Sequence, residues 1–333
     1  MQIRNEPVRA REPFMEMQWK IGNVQIDNPF VLAPMAGVTD LPFRTLCKEQ
    51  GAGLICMEMI SAKAISFHNK NTIALMEIDP CEHPVSMQLF GSEPDLMAEV
   101  AKSIEDRDFD ILDINMGCPV PKVVNNGEGS ALLKNPNLIE EIVRKVSSAI
   151  SKPLTVKVRI GFENEPVDIV EIAKRIEDAG AAALAVHGRT RQQYYSGTAD
   201  WDTIRRVKEA ITIPVIGNGD VDSPLKAEAL VKQTGCDAVM VGRAVRGNPW
   251  LFRELNHYFR TGELLERPSV EEIREMILRH ARKQIELKGE FVGIREMRKH
   301  VAWYTAGMRL SAGLRRESNT IETAQDSEES QTP

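Results

Sequence analysis

The chain of 333 residues is 42% hydrophobic and 27% charged, which is typical of a globular protein with a large buried core. It contains no apolar run near the roughly 18 residues that cross a bilayer, and its charged N-terminus lacks the apolar segment of a signal peptide. The five cysteines form no Cys-x-x-Cys pair, so neither a zinc site nor a disulfide framework is predicted. We therefore expect a cytoplasmic protein that has no membrane partner.

The net charge of −6 conceals two oppositely charged segments near the C-terminus. Residues 273–316 contain eleven lysines and arginines against four glutamates, whereas residues 317–333 contain five acidic residues and no basic one. The second segment has the composition of a disordered acidic tail. Because this tail offsets the basic segment, the acidic charge of the whole chain does not exclude a nucleic-acid partner.

Eight short apolar runs with β-strand character recur along the first 250 residues, separated by stretches in which apolar side chains have helical spacing. Their starts lie roughly 24 to 44 residues apart, as in repeats of one strand and one helix. Continuous apolar runs indicate strands that are buried on both faces, as in parallel sheets. We predict a (β/α)8 TIM barrel; the alternative is a doubly wound sheet, but no Gly-x-Gly-x-x-Gly motif follows the first strand. The runs are residues 30–35, 54–59, 84–91, 109–116, 153–161, 183–190, 213–220 and 238–244.

After about residue 249 the strand signals stop, and two amphipathic helical patterns follow at 273–281 and 294–308. On the second pattern, Arg295, Arg298 and Lys299 share one polar face and form a basic ridge. Such a ridge, taken alone, also fits an ordinary solvated helix surface. We predict four segments: an N-terminal extension (1–17), a barrel (18–250), a small helical domain (251–316) and the acidic tail (317–333).

The carboxyl ends of the predicted strands carry glycine, amide and cationic side chains. In a TIM barrel these ends form the active-site face, so we expect the groups to surround one ligand. Residues 217–219 (GNG) and 242–243 (GR) follow the last two strands, where barrels commonly bind a phosphate through backbone N–H groups. The pattern therefore predicts a ligand that has both a polar ring and a phosphate.

Lys157 lies between two valines near the end of the fifth strand, and we expect it to face the barrel mouth. A buried lysine needs a negative partner, because an unpaired charge is costly to remove from water. A reduced flavin develops negative charge at its pyrimidine edge, and Gln88 and His187 can hydrogen-bond to the same ring. The alternative partner for Lys157 is a carboxylate such as Asp113.

Cys118 lies in the turn of residues 115–119 (NMGCP), which follows the fourth strand at the rim of the predicted barrel. Three roles are open for it: an inert core thiol, a nucleophile and a general acid. No obvious His/Asn relay accompanies it, as a nucleophile would require. A thiol with a pKa of about 8.5 is mostly protonated at neutral pH, which favours the general acid.

Seven motifs at the strand ends occur in an order that closely resembles the flavin-dependent tRNA-dihydrouridine synthases, with the bacterial B-type members nearest. Any one motif is weakly specific, whereas the ordered set is highly specific. The resemblance covers residues 21–316 and leaves the two termini unmatched. The motifs are APMAGVTD (33–40), MQLFG (87–91), NMGCP (115–119), VKVR (156–159), VHGRTR (186–191), GNGD (217–220) and VGR (241–243).

The resemblance implies a role for each matched residue. Cys118 would be the proton donor, and Asn115 would help to seat the uracil. The basic ridge and its helices would hold the rest of the tRNA. The implied FMN contacts are Pro34, Met35, Ala36, Gln88, Lys157, His187, Asn218, Gly219, Asp220, Gly242 and Arg243, and the implied RNA or base contacts are Arg159, Arg189 and Tyr195.

The implied reaction reduces the C5=C6 bond of a uridine in the tRNA D-loop, with FMN reduced by NADPH, hydride addition at C6 and protonation of C5 by Cys118. We expect tRNA and no DNA as partner, and a monomeric protein. Three alternatives stay open: another FMN barrel such as a dihydroorotate dehydrogenase, a non-catalytic RNA-binding barrel, and a metal-dependent barrel. The last would use Glu58, Asp113 and His187 as ligands.

Overall fold

The computed structural model describes residues 19–163 and 167–308, and a closed barrel of eight parallel strands dominates it. The predicted TIM barrel is therefore confirmed, and the doubly wound alternative is excluded by closure between the last strand and the first, where Val239 pairs with Phe30. The predicted extension 1–17 and acidic tail 317–333 lie outside the described residues.

All eight predicted strands are present and follow one another around the barrel in sequence order. Their apolar side chains are buried both inside the barrel and against the surrounding helices, which explains the continuous apolar runs. A hairpin that the sequence did not reveal, β1 (Trp19–Ile21) and β2 (Val24–Ile26), precedes the barrel. The barrel strands are β3 (Phe30–Leu32), β4 (Leu54–Ser61), β5 (Val85–Phe90), β6 (Ile111–Met116), β7 (Leu154–Gly161), β8 (Ala183–Thr190), β9 (Val215–Asn218) and β10 (Ala238–Val241).

Helices cover the outside of the barrel, and side-chain caps begin several of them. Asp40, for example, accepts a hydrogen bond from the backbone N–H of Phe43 at the start of the first helix. The helices are α1 (Leu41–Glu49), α2 (Ala62–Ser66), α3 (Lys70–Ala74), α4 (Pro94–Ser103), α5 (Pro121–Val124), α6 (Pro136–Ala149), α7 (Ile169–Asp178), α8 (Trp201–Ala210), α9 (Pro224–Thr234), α10 (Leu251–Thr261), α11 (Val270–Lys288) and α12 (Glu290–Tyr304).

The structure corrects the predicted boundary between barrel and helical domain. Helix α10 packs on the barrel, where the ring of Phe259 lies 5.1 Å from that of Phe30 and Asn256 donates a hydrogen bond to the carbonyl of Gly51 (2.9 Å). It is therefore the barrel helix that follows the last strand. The predicted boundary at residue 250 is wrong, because the helical pair begins only after residue 261.

Helices α11 and α12 form a hairpin that docks on helix α1. They approach closely at Gly293, where a Cβ atom would lie 2.9 Å from the carbonyl of Gln284. No helix among residues 19–163 and 167–308 is long and apolar enough to cross a membrane. The pair shares a small apolar core with the barrel that contains Leu46, Trp250, Met276, Ile277, Met297 and Tyr304.

A buried carboxylate joins the helical pair to the barrel. Asp40 accepts hydrogen bonds from Gln284 Nε2 and from Lys288 Nζ, both at 2.6 Å. Burial raises the pKa of Asp40, but the charge and hydrogen bond of Lys288 and the bond from Gln284 outweigh burial and bring the pKa below its ordinary value. Asp40 therefore stabilises the docked helices in its ionised form.

Asp40→Asn is expected to lower the free energy of unfolding by about 2 kcal/mol at pH 7, because the charge-assisted bonds are lost while the helix cap is kept. The folded-state pKa of Asp40 is depressed, so its contribution is present above about pH 4 and is lost as pH falls further. Urea unfolding of both proteins at pH 7 and pH 3 checks this. Glu141→Gln, which breaks an exposed pair with Lys145, is the control and should change little. An equal loss at both pH values would contradict a role for the charge.

Candidate active site at the barrel mouth

A cavity of about 1180 Å³ opens at the carboxyl ends of the barrel strands. Parallel strands in a closed barrel all end on the same rim, so residues distant in sequence meet there. Its wall includes Cys118, Asn115, Arg159 and Tyr195. It contains all of the residues predicted to contact the cofactor: Pro34, Met35, Ala36, Gln88, Lys157, His187, Asn218, Gly219, Asp220, Gly242 and Arg243.

Lys157 is a half-buried cation in this wall, and it forms no hydrogen bond or ion pair with any residue that the structure describes. The alternative partner, Asp113, is engaged elsewhere, since its oxygens accept from Gln88 (2.5 Å) and Thr155 (2.6 Å). Burial and the neighbouring charge of Arg159 lower the pKa of Lys157 to about 8. An anionic ligand in the cavity would supply the missing partner.

The turn that carries Cys118 is held from both sides. Asn115 Oδ1 accepts from the backbone N–H groups of Gly117 (3.1 Å) and Cys118 (2.8 Å), and the Cys118 carbonyl accepts from Ser130 Oγ (2.8 Å). Gly129 has φ of 59°, and a Cβ there would lie 2.9 Å from the Cys118 carbonyl oxygen. The sequence analysis missed Gly129 and Ser130, because nothing in the chain linked a segment eleven residues downstream to Cys118.

The electrostatics of the mouth keep Cys118 protonated and His187 neutral. Burial raises the pKa of the Cys118 thiol, and this outweighs the opposite effects of the Val120 backbone N–H and the nearby cations. Burial and four surrounding cations push the pKa of His187 far below its ordinary value. Cys118 can therefore hold a proton at neutral pH, whereas His187 offers an uncharged imidazole.

The far end of the cavity combines glycine backbone with an arginine. Gly219 has φ of 131°, and a Cβ there would lie 2.7 Å from Ala199 Cβ, so a side chain does not fit. The Arg243 side chain is 40% exposed and lies 3.4 Å from Asp220. Asn218 donates to the carbonyl of Met240 (2.8 Å). This end offers a cation and open backbone to an anion such as a phosphate.

Two of the three arginine and tyrosine contacts predicted from the resemblance line the cavity, and one does not. Arg159 bonds to the carbonyls of Gly117 (2.9 Å) and Thr190 (2.8 Å) and supports the mouth. Tyr195 is exposed, with its ring 4.5 Å from the Arg243 guanidinium.

Arg189 requires a correction, since it is only 1% exposed and lies outside the cavity wall. It bonds to the carbonyls of Ser196 (3.0 Å) and Gly197 (2.7 Å) and forms an ion pair with Asp220 (2.7 Å). Arg189 therefore fixes the loop after β8 from inside, and it is not placed for the predicted contact with RNA.

The basic ridge lies beside the cavity and not within it. Arg295 is exposed, and its guanidinium lies 5.2 Å from the centre of the Phe291 ring. Lys299 Nζ approaches the loop after β3, since it is 4.0 Å from the position of a Cβ on Gly37. Arg298 is half-buried on the same helix. The ridge therefore extends the cationic mouth onto the helical pair.

The alternative of a metal-dependent barrel is not supported by the geometry. Within the part of the chain that the structure describes, no group of three or more His, Cys, Asp or Glu side chains is placed to hold a metal ion. Glu58, Asp113 and His187, the ligands considered from sequence, do not form such a group.

A closed parallel barrel with a protonated thiol, an ammonium group that has no partner among the described residues and a cationic end defines a TIM-barrel protein with a built ligand site. The sequence profile described as Dihydrouridine synthase (Dus) matches residues 31–332. The chain belongs to this family, and the resemblance predicted from its motifs is confirmed.

Curated relatives match over nearly their whole length. The chain is 44% identical over 305 residues to tRNA-dihydrouridine synthase B of Vibrio parahaemolyticus, covering 92% of this chain and 95% of that protein. It is also 44% identical over 309 residues to tRNA-dihydrouridine synthase B of Pseudomonas putida, covering 92% and 91% of the two proteins.

Solved structures of lower similarity share the fold. These are a 6-hydroxypseudooxynicotine amine oxidase from Pseudomonas geniculata N1 (TM-score 0.60, 13% identity, 75% of this chain covered) and a histamine dehydrogenase from Rhizobium sp. 4-9 (TM-score 0.60, 14% identity, 81% covered). The chain spans about half the length of each of these two proteins.

Lys157→Met is expected to make the cofactor-free protein more stable by about 2 kcal/mol at pH 7, because it removes a half-buried charge that has no partner among the residues described. The folded-state pKa of about 8 lies below the unfolded value of about 10.4. The penalty is therefore full below pH 8 and disappears as pH rises past about 10.4. Urea unfolding across this pH range checks the prediction, with Lys174→Met, which removes an exposed lysine, as the control. A less stable Lys157→Met protein at pH 7 would contradict the absence of a partner.

Proposed function

We propose that the protein is a tRNA-dihydrouridine synthase that reduces the C5=C6 bond of a uridine in the tRNA D-loop, with FMN as cofactor and NADPH as reductant. The observation that carries the proposal is a protonated thiol, Cys118, in the same cavity as Lys157, a cation without a partner in the described part of the chain, in a member of this family. A reductase of a conjugated double bond needs a proton donor and a site for a redox cofactor, and the cavity offers both.

The residues of the cavity fit FMN. Lys157 has no anionic partner within residues 19–163 and 167–308, and the electron-rich pyrimidine edge of a reduced flavin would provide one. Arg243 and the side-chain-free backbone at Gly219 and Gly242 suit the phosphate. The ring would be held by Pro34, Met35, Ala36, Gln88, Lys157 and His187, and the ribityl chain and phosphate by Asn218, Gly219, Asp220, Gly242 and Arg243.

FMN, when bound by these residues and reduced, would supply a hydride for C6 of the uracil. Addition at C6 leaves enolate character at C5 and O4, and Cys118 donates its proton to C5. Because burial keeps the thiol protonated at neutral pH, this proton is present when it is needed. Asn115 holds the Cys118 backbone and lies in the same wall, where it helps to seat the base.

The macromolecular partner is tRNA, not DNA, and the protein acts as a monomer. The target uridine must leave its stack and enter the mouth, at a cost of a few kcal/mol. Exposed Tyr195 beside Arg243 offers a surface on which a base can stack. The ridge of Arg295, Arg298 and Lys299 meets tRNA phosphates beyond the mouth. A dihydroorotate dehydrogenase or similar small-molecule barrel needs no such ridge.

Cys118→Ala is expected to retain the visible flavin absorbance and to lose about 10²- to 10⁴-fold in rate, as the loss of a general acid predicts. The measurement is incubation with NADPH and tRNA from a strain that lacks dihydrouridine, followed by mass spectrometry of the modified base. Cys81→Ser, which replaces an exposed thiol outside the cavity, is the matched control. Undiminished product from Cys118→Ala would overturn the assignment.

Replacing Arg295 and Lys299 together by Ala is expected to raise KM for tRNA and leave kcat nearly unchanged, since the ridge lies outside the cavity. Each phosphate contact that is lost should reduce the slope of log affinity against log salt by about 0.7 to 0.9. Filter binding at several salt concentrations measures this slope. Arg144→Ala, an exposed arginine on α6, serves as the control. An unchanged salt slope would remove the ridge from the tRNA interface.

A further inference from the structure

A chain of side-chain hydrogen bonds runs across three neighbouring strands at the barrel mouth. Thr155 Oγ1 donates to Asp113 Oδ1 (2.6 Å), and Gln88 Nε2 donates to Asp113 Oδ2 (2.5 Å). Gln88 Oε1 accepts from Asn115 Nδ2 (2.8 Å). Strand register brings the groups together, because Asp113 pairs with Gln88 on β5 and with Thr155 on β7. All four residues are buried.

The carboxylate fixes the direction of every bond in this chain. Both Asp113 oxygens accept hydrogen bonds, so Gln88 turns its Nε2 toward Asp113 and leaves Oε1 for Asn115. Asn115 then presents Nδ2 to Gln88, and its Oδ1 accepts from the backbone N–H groups of Gly117 and Cys118. A change at Asp113 is therefore transmitted through two amides to the turn that carries Cys118.

Asp113 has two properties that an experiment can separate, its charge and its acceptor oxygens. Burial raises the pKa of Asp113 above its ordinary value and outweighs the opposing effects of the bonds from Gln88 and Thr155 and of the Lys157 charge. Both oxygens already bind neutral donors, and Lys157 forms no ion pair with them. The geometry therefore favours the acceptor role over that of a counter-ion.

We propose that Asp113 is a positioning residue: it orients the Gln88 amide at the ring end of the cavity and, through Asn115, the turn of Cys118. The inference rests on the proposed function for the identity of the ligand, FMN. The hydrogen-bond chain does not depend on it. Asp113 acts entirely through its neighbours and touches neither the base nor the reacting atoms.

Asp113→Leu and Asp113→Asn are the variants that distinguish acceptor from charge. Leucine has a similar shape but no acceptor, so the Gln88 amide loses the partner that fixes its orientation. Asparagine keeps one oxygen for Gln88 and turns its NH₂ toward Thr155, whose hydroxyl can reverse and accept. Thr155→Val, which leaves the bonds from Asp113 to Gln88 and on to Asn115 intact, is the matched control.

FMN is removed from each protein and titrated back, and the flavin fluorescence gives Kd. Asp113→Leu is expected to raise Kd about tenfold, whereas Asp113→Asn and Thr155→Val stay within about threefold of the parent. The pH profile of Cys118 alkylation by iodoacetamide, followed by mass spectrometry without tRNA, is the second readout. Asp113→Leu should shift it toward the profile of an ordinary exposed thiol, and Asp113→Asn should not.

An Asp113→Asn protein that is as defective as Asp113→Leu would show that the charge acts, and would overturn the proposal. Parent-like behaviour of Asp113→Leu in both readouts would overturn it too. If the unaltered protein binds no FMN, the proposed cofactor fails, whereas the alkylation profile still tests the positioning of Cys118. The two failures are therefore distinguishable.

If Asp113→Leu does not fold, exchanging the amide and the carboxylate between positions 88 and 113 provides a second test. Gln88→Glu places two carboxylates at a contact that is now 2.5 Å, and should disturb the Cys118 turn. When Gln88→Glu is combined with Asp113→Asn, the side-chain amide at position 113 donates to the carboxylate at position 88. The second oxygen of that carboxylate still accepts from Asn115 Nδ2. The double variant is expected to regain the parent alkylation profile. Failure to regain it, in a protein with a parent-like circular dichroism spectrum, would contradict the proposal.

Discussion

Closure of the barrel between β3 and β10 is the constraint on which the candidate site depends. Pairing of Val239 with Phe30 brings the two ends of a long segment together, and the loops that follow both strands then share one rim. As a result, a Cβ on Gly242 would lie 3.5 Å from Ala33 Cβ and 3.8 Å from Met35 Sδ. The apolar layers below provide most of the folding free energy, so the rim is free to hold polar and charged groups.

The positive charge on the rim favours the binding of an anionic ligand and lowers the stability of the protein without that ligand. Lys157 has no anionic partner among the described residues, and burial together with several cations lowers the pKa of His187 and keeps it neutral. Such a concentration of positive charge is costly in the empty protein and favourable once an anion is bound. The Cys118 thiol stays neutral despite this field, because burial raises its pKa by more than the cations lower it. The proposed cofactor binding and the proposed proton donation would therefore take place in one electrostatic environment.

The motif of residues 33–40 connects this site to the helical pair. Its first residues, Ala33 to Ala36, line the cavity, and its last residue, Asp40, receives hydrogen bonds from Gln284 and Lys288 on α11. A few residues therefore serve both the ligand site and the docking of the helices that carry the basic ridge. This arrangement places a surface suited to RNA phosphates at a fixed position beside the mouth, which a substrate much larger than the cavity requires.

The sequence by itself determined the eight strands, the barrel, the family and the residues of the cavity wall, because apolar runs and strand-end motifs are local signals. It misplaced the end of the barrel, since α10 has the same amphipathic pattern whether it packs on a barrel or in a separate domain. It also assigned Arg189 to RNA, although the structure buries this side chain against Asp220. Only the tertiary structure decided which groups Asp113 and Ser130 bind and that Lys157 has no partner among the described residues. Strand register and loop packing, not sequence distance, bring atoms within hydrogen-bond reach or keep them apart.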